Sequence, residues 1–326
     1  MLISCGNPLM EWLLGDVKDE DGVIHFSIGS FTDFEKFGMQ IAEGGNNKKY
    51  VITFTADIPN MPGKLSTDST FGDFIGITVT IIGNGNTLTL NTAGNLFCVG
   101  AGQTVIIQNL NLSGYSTNNA SLVYLASGAT FTMQSSSSIS QNNVGTTNCG
   151  GVYVESGAVF NMKGGTISDN SVDSGSGGGV YVDNGGTFNM TGGSIFSNHA
   201  TNGGNGGGVY VAGGGTFNMT SGMIGVTTPP SGNDAANGGG VYVADGGTFN
   251  MTGGSITNNT ALHTPGSGGG VYVESGPGGG GTFNLNSLAT IDNNIGTPGY
   301  GKQIYVDSPA TFRKGGILQT VPYVLD

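Results

Sequence analysis

Positive charge is what this chain most lacks. Arg313 is its one arginine, and residues 164–301 carry neither lysine nor arginine. With a net charge of −12, so few cations cannot neutralise a row of phosphates, which argues against nucleic acid or an anionic membrane surface as a partner. Cysteine is sparse too, and Cys5, Cys98 and Cys149 do not make a disulfide framework. His25, His199 and His263 share no metal-ligand spacing, and no calcium-binding glycine-aspartate nonapeptide occurs, so no metal or other cofactor is expected. Nowhere is an apolar run long enough to span a bilayer. A helical period fits no stretch of the repeated part of the chain.

Glycine, by contrast, is abundant. At 63 of 326 residues it would suggest disorder, were the apolar residues not so regularly spaced. Residues 177–198 read GGGVYVDNGGTFNMTGGSIFSN, and versions of that segment recur through seven units. Their tyrosines fall at Tyr124, Tyr153, Tyr181, Tyr210, Tyr242, Tyr272 and Tyr305, and the phenylalanines at Phe131, Phe160, Phe188, Phe217, Phe249, Phe283 and Phe312. A spacing of 28 to 33 residues between successive tyrosines marks a solenoid whose units cannot bury a core alone. Tyrosine precedes phenylalanine by seven residues in every unit but one, where Pro277, Gly278, Gly279 and Gly280 are inserted. Most other length variation, including residues 227–232, falls between one unit's isoleucine and the next tyrosine. One corner should therefore carry the long loops.

Each unit reads as three short strands, V-Y-V, T-F-N-M-T and S-I, separated by glycine or asparagine turns. Alternation turns Val180, Val182, Phe188, Met190 and Ile195 one way and Tyr181, Thr187, Asn189 and Thr191 the other. Three strands per unit predict an all-β, right-handed parallel β-helix of about ten coils, with like residues stacked in columns about 4.8 Å apart. Tight corners between strands need positive φ, which glycine adopts freely. Asparagine recurs three residues after the isoleucine at Asn142, Asn170, Asn198, Asn259 and Asn294, where it can tolerate the left-handed conformation and hydrogen-bond along a stack. A structural ladder is the expectation there. Cys98 and Cys149, the latter in the column of Gly177, should lie about two coils apart, beyond disulfide reach.

Upstream the pattern loosens, but residues 50–58, 77–90 and 96–112 are strand-rich with the same turn chemistry and read as earlier coils. Before them, Thr32, Asp33, Phe34 and Glu35 suggest a capping box, and Phe34, Phe37 and Ile41 share one apolar face. A short helix there would cover the open end of the solenoid, whose bare edge would otherwise recruit strands. The organisation expected is a leader over 1–29, a capping helix over 30–45, the β-helix over 46–320 and a tail over 321–326.

The GGGVYV and FNMTGGSI-x-x-N segments, with Gly178, Gly179 and Val180 near one motif and Ile195, Phe196, Ser197 and Asn198 near the other, resemble the repeats of polymorphic outer-membrane proteins and related pectin-lyase-like β-helix surface proteins. Valine and isoleucine depart from that family's usual residues, and no C-terminal β-barrel follows in the sequence given. The resemblance implies surface display and adhesion on a bacterial cell. Leu2, Ile3, Ser4, Cys5 and Gly6 resemble the lipobox of bacterial lipoproteins, in which Cys5 would carry the lipid. An extracytoplasmic, lipid-anchored location is the expectation, with the membrane engaged only through that anchor.

A pectin-lyase-like scaffold also brings polysaccharide chemistry to mind. Lyase chemistry of the pectate type wants calcium-binding aspartates beside a base, and Lys163 is the only basic residue in the regular repeats up to Gly301. A hydrolase wants two carboxylates about 5 to 9.5 Å apart. Glu155 and Asp183, and Glu274 and Asp307, take the same outward position two residues after the tyrosine, but exposed strand carboxylates are usually solvated. The expectation is therefore no catalysis, with a polysaccharide-active enzyme as the alternative. Threonine rows such as Thr187, Asn189 and Thr191, Thr216, Asn218 and Thr220, or Thr248, Asn250 and Thr252 resemble ice-binding grids, a remoter alternative. The seven tyrosines, facing outward with polar neighbours, are the candidate surface for a glycan or a host or neighbouring protein, the alternative being that their stacking simply stabilises an exposed parallel strand, as aromatic pairs do in sheets.

Overall fold

A computed structural model describes residues 17–228, 232–261, 268–296, 301–307, 310–319 and 323–325. The chain winds into a parallel β-solenoid of about ten coils with three principal strands per coil. One long sheet of thirteen strands collects the phenylalanine segments, a nine-stranded sheet the tyrosine segments and a second nine-stranded sheet the isoleucine segments. Register is held residue by residue: Val180, Tyr181 and Val182 sit beside Val209, Tyr210 and Val211, and Phe188 beside Phe217.

Alternation sets the faces as the sequence indicates. Val180, Val182, Phe188, Met190 and Ile195 are all wholly buried. The core is a bundle of columns, in which Phe160, Phe188, Phe217 and Phe249 stack at centroid separations of 4.6–4.8 Å. That is the spacing of hydrogen-bonded strands, so backbone pairing and ring stacking repeat together. Before each G-G-V segment the corner needs a positive φ, supplied by Gly177 at 77° and Gly206 at 67°. Cys149 takes the same corner at 72°, a conformation that disfavours a side chain.

The asparagine ladder is present and buried, with one difference of role and one added member. Positive φ belongs to the residue before each of the five asparagines marked by the repeat, as at Asp169, Ser197 and Asn258, so the asparagines act through hydrogen bonding. Asn170 Nδ2 donates to Asn198 Oδ1 at 3.0 Å, and Asn198 Nδ2 donates to Asn233 Oδ1 at 3.0 Å. Asn233 Nδ2 in turn donates to Asn259 Oδ1 at 2.8 Å, and Asn259 Nδ2 to Asn294 Oδ1 at 3.0 Å. Asn233 escapes the sequence pattern because the loop inserted after Ile224 displaces it in numbering, not in space.

A fourth, five-stranded sheet fills the long-loop corner: Asn143–Val144, Ser171–Val172, His199–Asn205, Asp234–Asn237 and Thr260–Ala261. Val144, Val172, Ala200 and Ala235 form a small apolar cluster of its own beneath it. This corner is thus partly ordered pairing where the sequence pattern suggests loops alone.

Helix α1 (Phe31–Gly44) closes one end. Its N-cap is Ser30, whose Oγ accepts from the Asp33 amide while donating to Asp33 Oδ2, so the box spans Ser30 to Asp33 rather than Thr32 to Glu35. Phe34, Phe37 and Ile41 are buried, with Phe37 edge-on to Phe26 at 4.8 Å and to Tyr50 at 5.9 Å. The solenoid also begins earlier than residue 46. Strand Ile24–Ile28 pairs in parallel with Lys49–Phe54, which places part of the expected leader in the first coil. At the far end Tyr323–Leu325, in the expected tail, pairs antiparallel with Ile304–Val306, and Ile317–Leu318 folds back antiparallel on Thr311–Lys314. The direction of pairing reverses there, which ends the parallel winding in those two sheets.

Candidate functional site

In each V-Y-V segment the valines take the core, so the tyrosine must point outward. Constant spacing then brings Tyr124, Tyr153, Tyr181, Tyr210, Tyr242, Tyr272 and Tyr305 into one stack, with ring centroids 4.9–5.4 Å apart and planes within 5–18° of parallel. All seven residues named from the sequence are therefore together. Within the stack, however, the ring faces meet one another, and the ladder turns edges and hydroxyls to solvent. Tyr242 is only 5% exposed.

The carboxylates beside the ladder brace it. Each accepts a hydrogen bond from the preceding coil: Glu155 Oε2 from the Ser127 amide at 2.8 Å, Asp183 Oδ2 from the Tyr153 hydroxyl at 2.8 Å, Glu274 Oε2 from the Asp245 amide at 3.2 Å and Asp307 Oδ2 from the Ser275 hydroxyl at 2.6 Å. Burial, reinforced by Glu155, pushes the Tyr124 hydroxyl up to about 12. Burial and Asp307 do the same at Tyr272, also to about 12. Tyr153, Tyr181, Tyr210 and Tyr242 are raised as well, burial again first, with Asp183 next at Tyr153 and Glu274 next at Tyr242. The hydroxyls are thus held in the neutral form. Near neutral pH they offer hydrogen bonds and no charge.

The ladder ends at Tyr124. In the coil before it the matching strand position is Cys98, buried, with its thiol donating to the Leu65 carbonyl at 3.2 Å. A cleft of about 400 Å³ lies at this end, against Tyr124 and Tyr153. Its polar wall includes Asn95, Asn119 and Asn148, which come from turns of different coils. No local motif marks them in the sequence.

On the phenylalanine sheet, Asn161, Asn189, Asn218, Asn250 and Asn284 form an outer amide ladder with successive Nδ2 to Oδ1 distances of 2.8–3.0 Å. These amides are committed to one another along the row between the threonines. Cys98 and Cys149 are separate free thiols, two coils apart as expected, and burial pushes Cys98 up to about 12 and Cys149 upward too. Neither is a thiolate nucleophile at neutral pH.

His25 pairs with Asp19 near the start of the chain, and His199 Nδ1 with Asp234 Oδ1 on the corner sheet. The Asp234 carboxylate pushes the His199 imidazole upward against the opposing effect of burial. Cys5 and His263 lie outside the described residues. Among the described residues, no three histidine, cysteine or acidic side chains come together in a way that could hold a metal ion. No helix there is long and apolar enough to cross a membrane, which leaves membrane attachment by other means open. Compared with protein-family models, curated proteins and solved structures, the chain gives no match, so any functional reading stands on the repeat and its geometry.

Proposed function

We propose that this protein is a surface adhesin, a passive binder that displays a rigid repetitive solenoid outside a bacterial cell, of the polymorphic outer-membrane, pectin-lyase-like kind, held there by a lipid on Cys5. The observation that carries the binding reading over catalysis is the use made of the carboxylates. Glu155, Asp183, Glu274 and Asp307 each accept a hydrogen bond from the neighbouring coil, and so serve to hold the ladder together. A polysaccharide hydrolase would need two of them poised on either side of a glycosidic bond. The threonine rows favour ice binding less, because interlinked asparagine amides occupy the middle of the grid. What remains is a long acidic surface with uncharged hydroxyls and amides, suited to glycans or neighbouring surface proteins.

Retention of the purified chain on glycan and extracellular-matrix arrays tests this. Specific, saturable retention without release of shortened saccharide is the expected outcome. Product formation that disappears in Glu155→Gln or Asp183→Asn would overturn it in favour of the enzyme, and no retention on any array would remove the adhesin.

A further inference from the structure

An aromatic stack ends where no further ring continues it, and at the Tyr124 end a cleft adjoins the last ring. Its counterpart in the preceding coil is Cys98, a residue too small to cover a phenol ring, and among the described residues the only ring stacked on Tyr124 is Tyr153. The adjoining cleft of about 400 Å³ is lined by Ser66, Asn95, Asn119, Ser121, Thr146 and Asn148 among others, with no charged side chain in its lining. Pockets of roughly 300 to 1,000 Å³ hold small ligands, and this one falls at the small end of that range.

One wall group has unused capacity. Asn95 is 1% exposed, and its Nδ2 donates to the Ser121 carbonyl and hydroxyl at 2.6 and 3.1 Å, while its Oδ1 has no hydrogen-bond partner. That acceptor is sealed from solvent, so Asn95 shapes the wall of the cleft through its bonds to Ser121, and the groups left to a ligand are those of its neighbours. An aromatic platform with the Glu155 carboxylate at its hydroxyl, and several amides and hydroxyls, together describe a site for a polar ring that carries no negative charge.

We propose that the cleft at the Tyr124 end of the tyrosine ladder is a binding subsite for a neutral pyranose ring of a glycan, packed on Tyr124 and hydrogen-bonded by Asn119 and Asn148. This rests on the glycan-binding reading above and gives it a place and a ligand class. Carboxylated sugars are disfavoured by the Glu155 carboxylate beside the Tyr124 hydroxyl and by the net charge of −12.

Calorimetric titration of the whole chain with neutral gluco-, manno- and galacto-oligosaccharides, and with uronate and sialylated counterparts, tests it. The neutral panel should contain a binder and the charged panel none. Tyr124→Ala should weaken binding roughly tenfold or more, and Tyr124→Phe should retain it. Asn119 is exposed, and among the described residues only its backbone makes hydrogen bonds, so Asn119→Ala should weaken binding several-fold with melting unchanged, which covers the case of a misfolded Tyr124→Ala. Parent-like binding by both alanine variants places the glycan elsewhere and overturns the subsite while leaving the adhesin standing. Binding of the charged panel alone overturns the ligand class, and binding of nothing in either panel removes subsite and glycan reading together.

Discussion

At the scale of single residues, the buried asparagines carry more than their small size suggests. Asn233 receives Asn198 Nδ2 at its Oδ1, and its own Nδ2 reaches the Ile195 carbonyl at 2.9 Å and Asn259 Oδ1 at 2.8 Å. Replacing it with leucine would take hydrogen bonds from groups in the two flanking coils, Ile195 and Asn198 on one side and Asn259 on the other, each group worth about 1–3 kcal/mol when buried without a partner. Asn233→Leu is expected to cost roughly 3 kcal/mol or more in urea unfolding. A loss below about 1 kcal/mol would mean that water or a shift in the corner replaces the amide. Sequence spacing alone assigns Asn233 to a loop. Its role emerges only when Asn198 and Asn259 are found on either side of it.

Among the elements, the tyrosine sheet makes a prediction about pH. Unfolded tyrosine ionises near 10, and the folded values are higher, about 12 at Tyr124 and Tyr272. Between those limits the folded chain binds more protons than the unfolded one, so stability must fall as pH rises. The contribution is whole below about pH 10 and lost through about pH 12. Urea midpoints should therefore stay level from about pH 8 to 9.5 and then decline. The paired change Tyr153→Phe and Tyr242→Phe should flatten the decline, and an equal slope in parent and variant would place the alkaline sensitivity outside this sheet. The tyrosine positions themselves were legible as a period. Their stacking in a column was legible with it, since like residues recur coil by coil; the near-parallel ring planes and the burial of Tyr242 were not, because they depend on what packs around each ring.

For the whole molecule, repetition implies modularity. Val180 pairs with Val209, a displacement of 29 residues, so deleting residues 178–206 joins equivalent corners and leaves every column in register. That variant should fold, with a urea m-value lower by about a tenth, since m follows the surface exposed on unfolding. Deleting residues 178–191 instead offsets all three sheets at once, and that chain should not fold. If both deletions give the same circular dichroism and melting as the parent, the coils are not in the register described. The ends matter equally: α1 covers one, and antiparallel strands finish the tyrosine and phenylalanine sheets at the other. The isoleucine sheet ends at Thr290–Asp292, near the exposed Leu288.

The sequence by itself determined the solenoid, its three principal strands and the inward and outward faces. Those depend on two-residue alternation and a repeat of 28 to 33 residues, both local enough to read along one dimension. It also located the covering helix through Phe34, Phe37 and Ile41. Tertiary structure alone decided what each position meets in the next coil: the place of Asn233 in the buried ladder, the corner sheet around His199 and Asp234, and the cap from Ser30 to Asp33. It also decided that the tyrosines stack into one row with a polar cleft beside Tyr124 and Tyr153. The cleft there gathers Ser66, Asn95, Asn119 and Asn148 from separate turns, which stacking brings together across distances in the chain that no local pattern records.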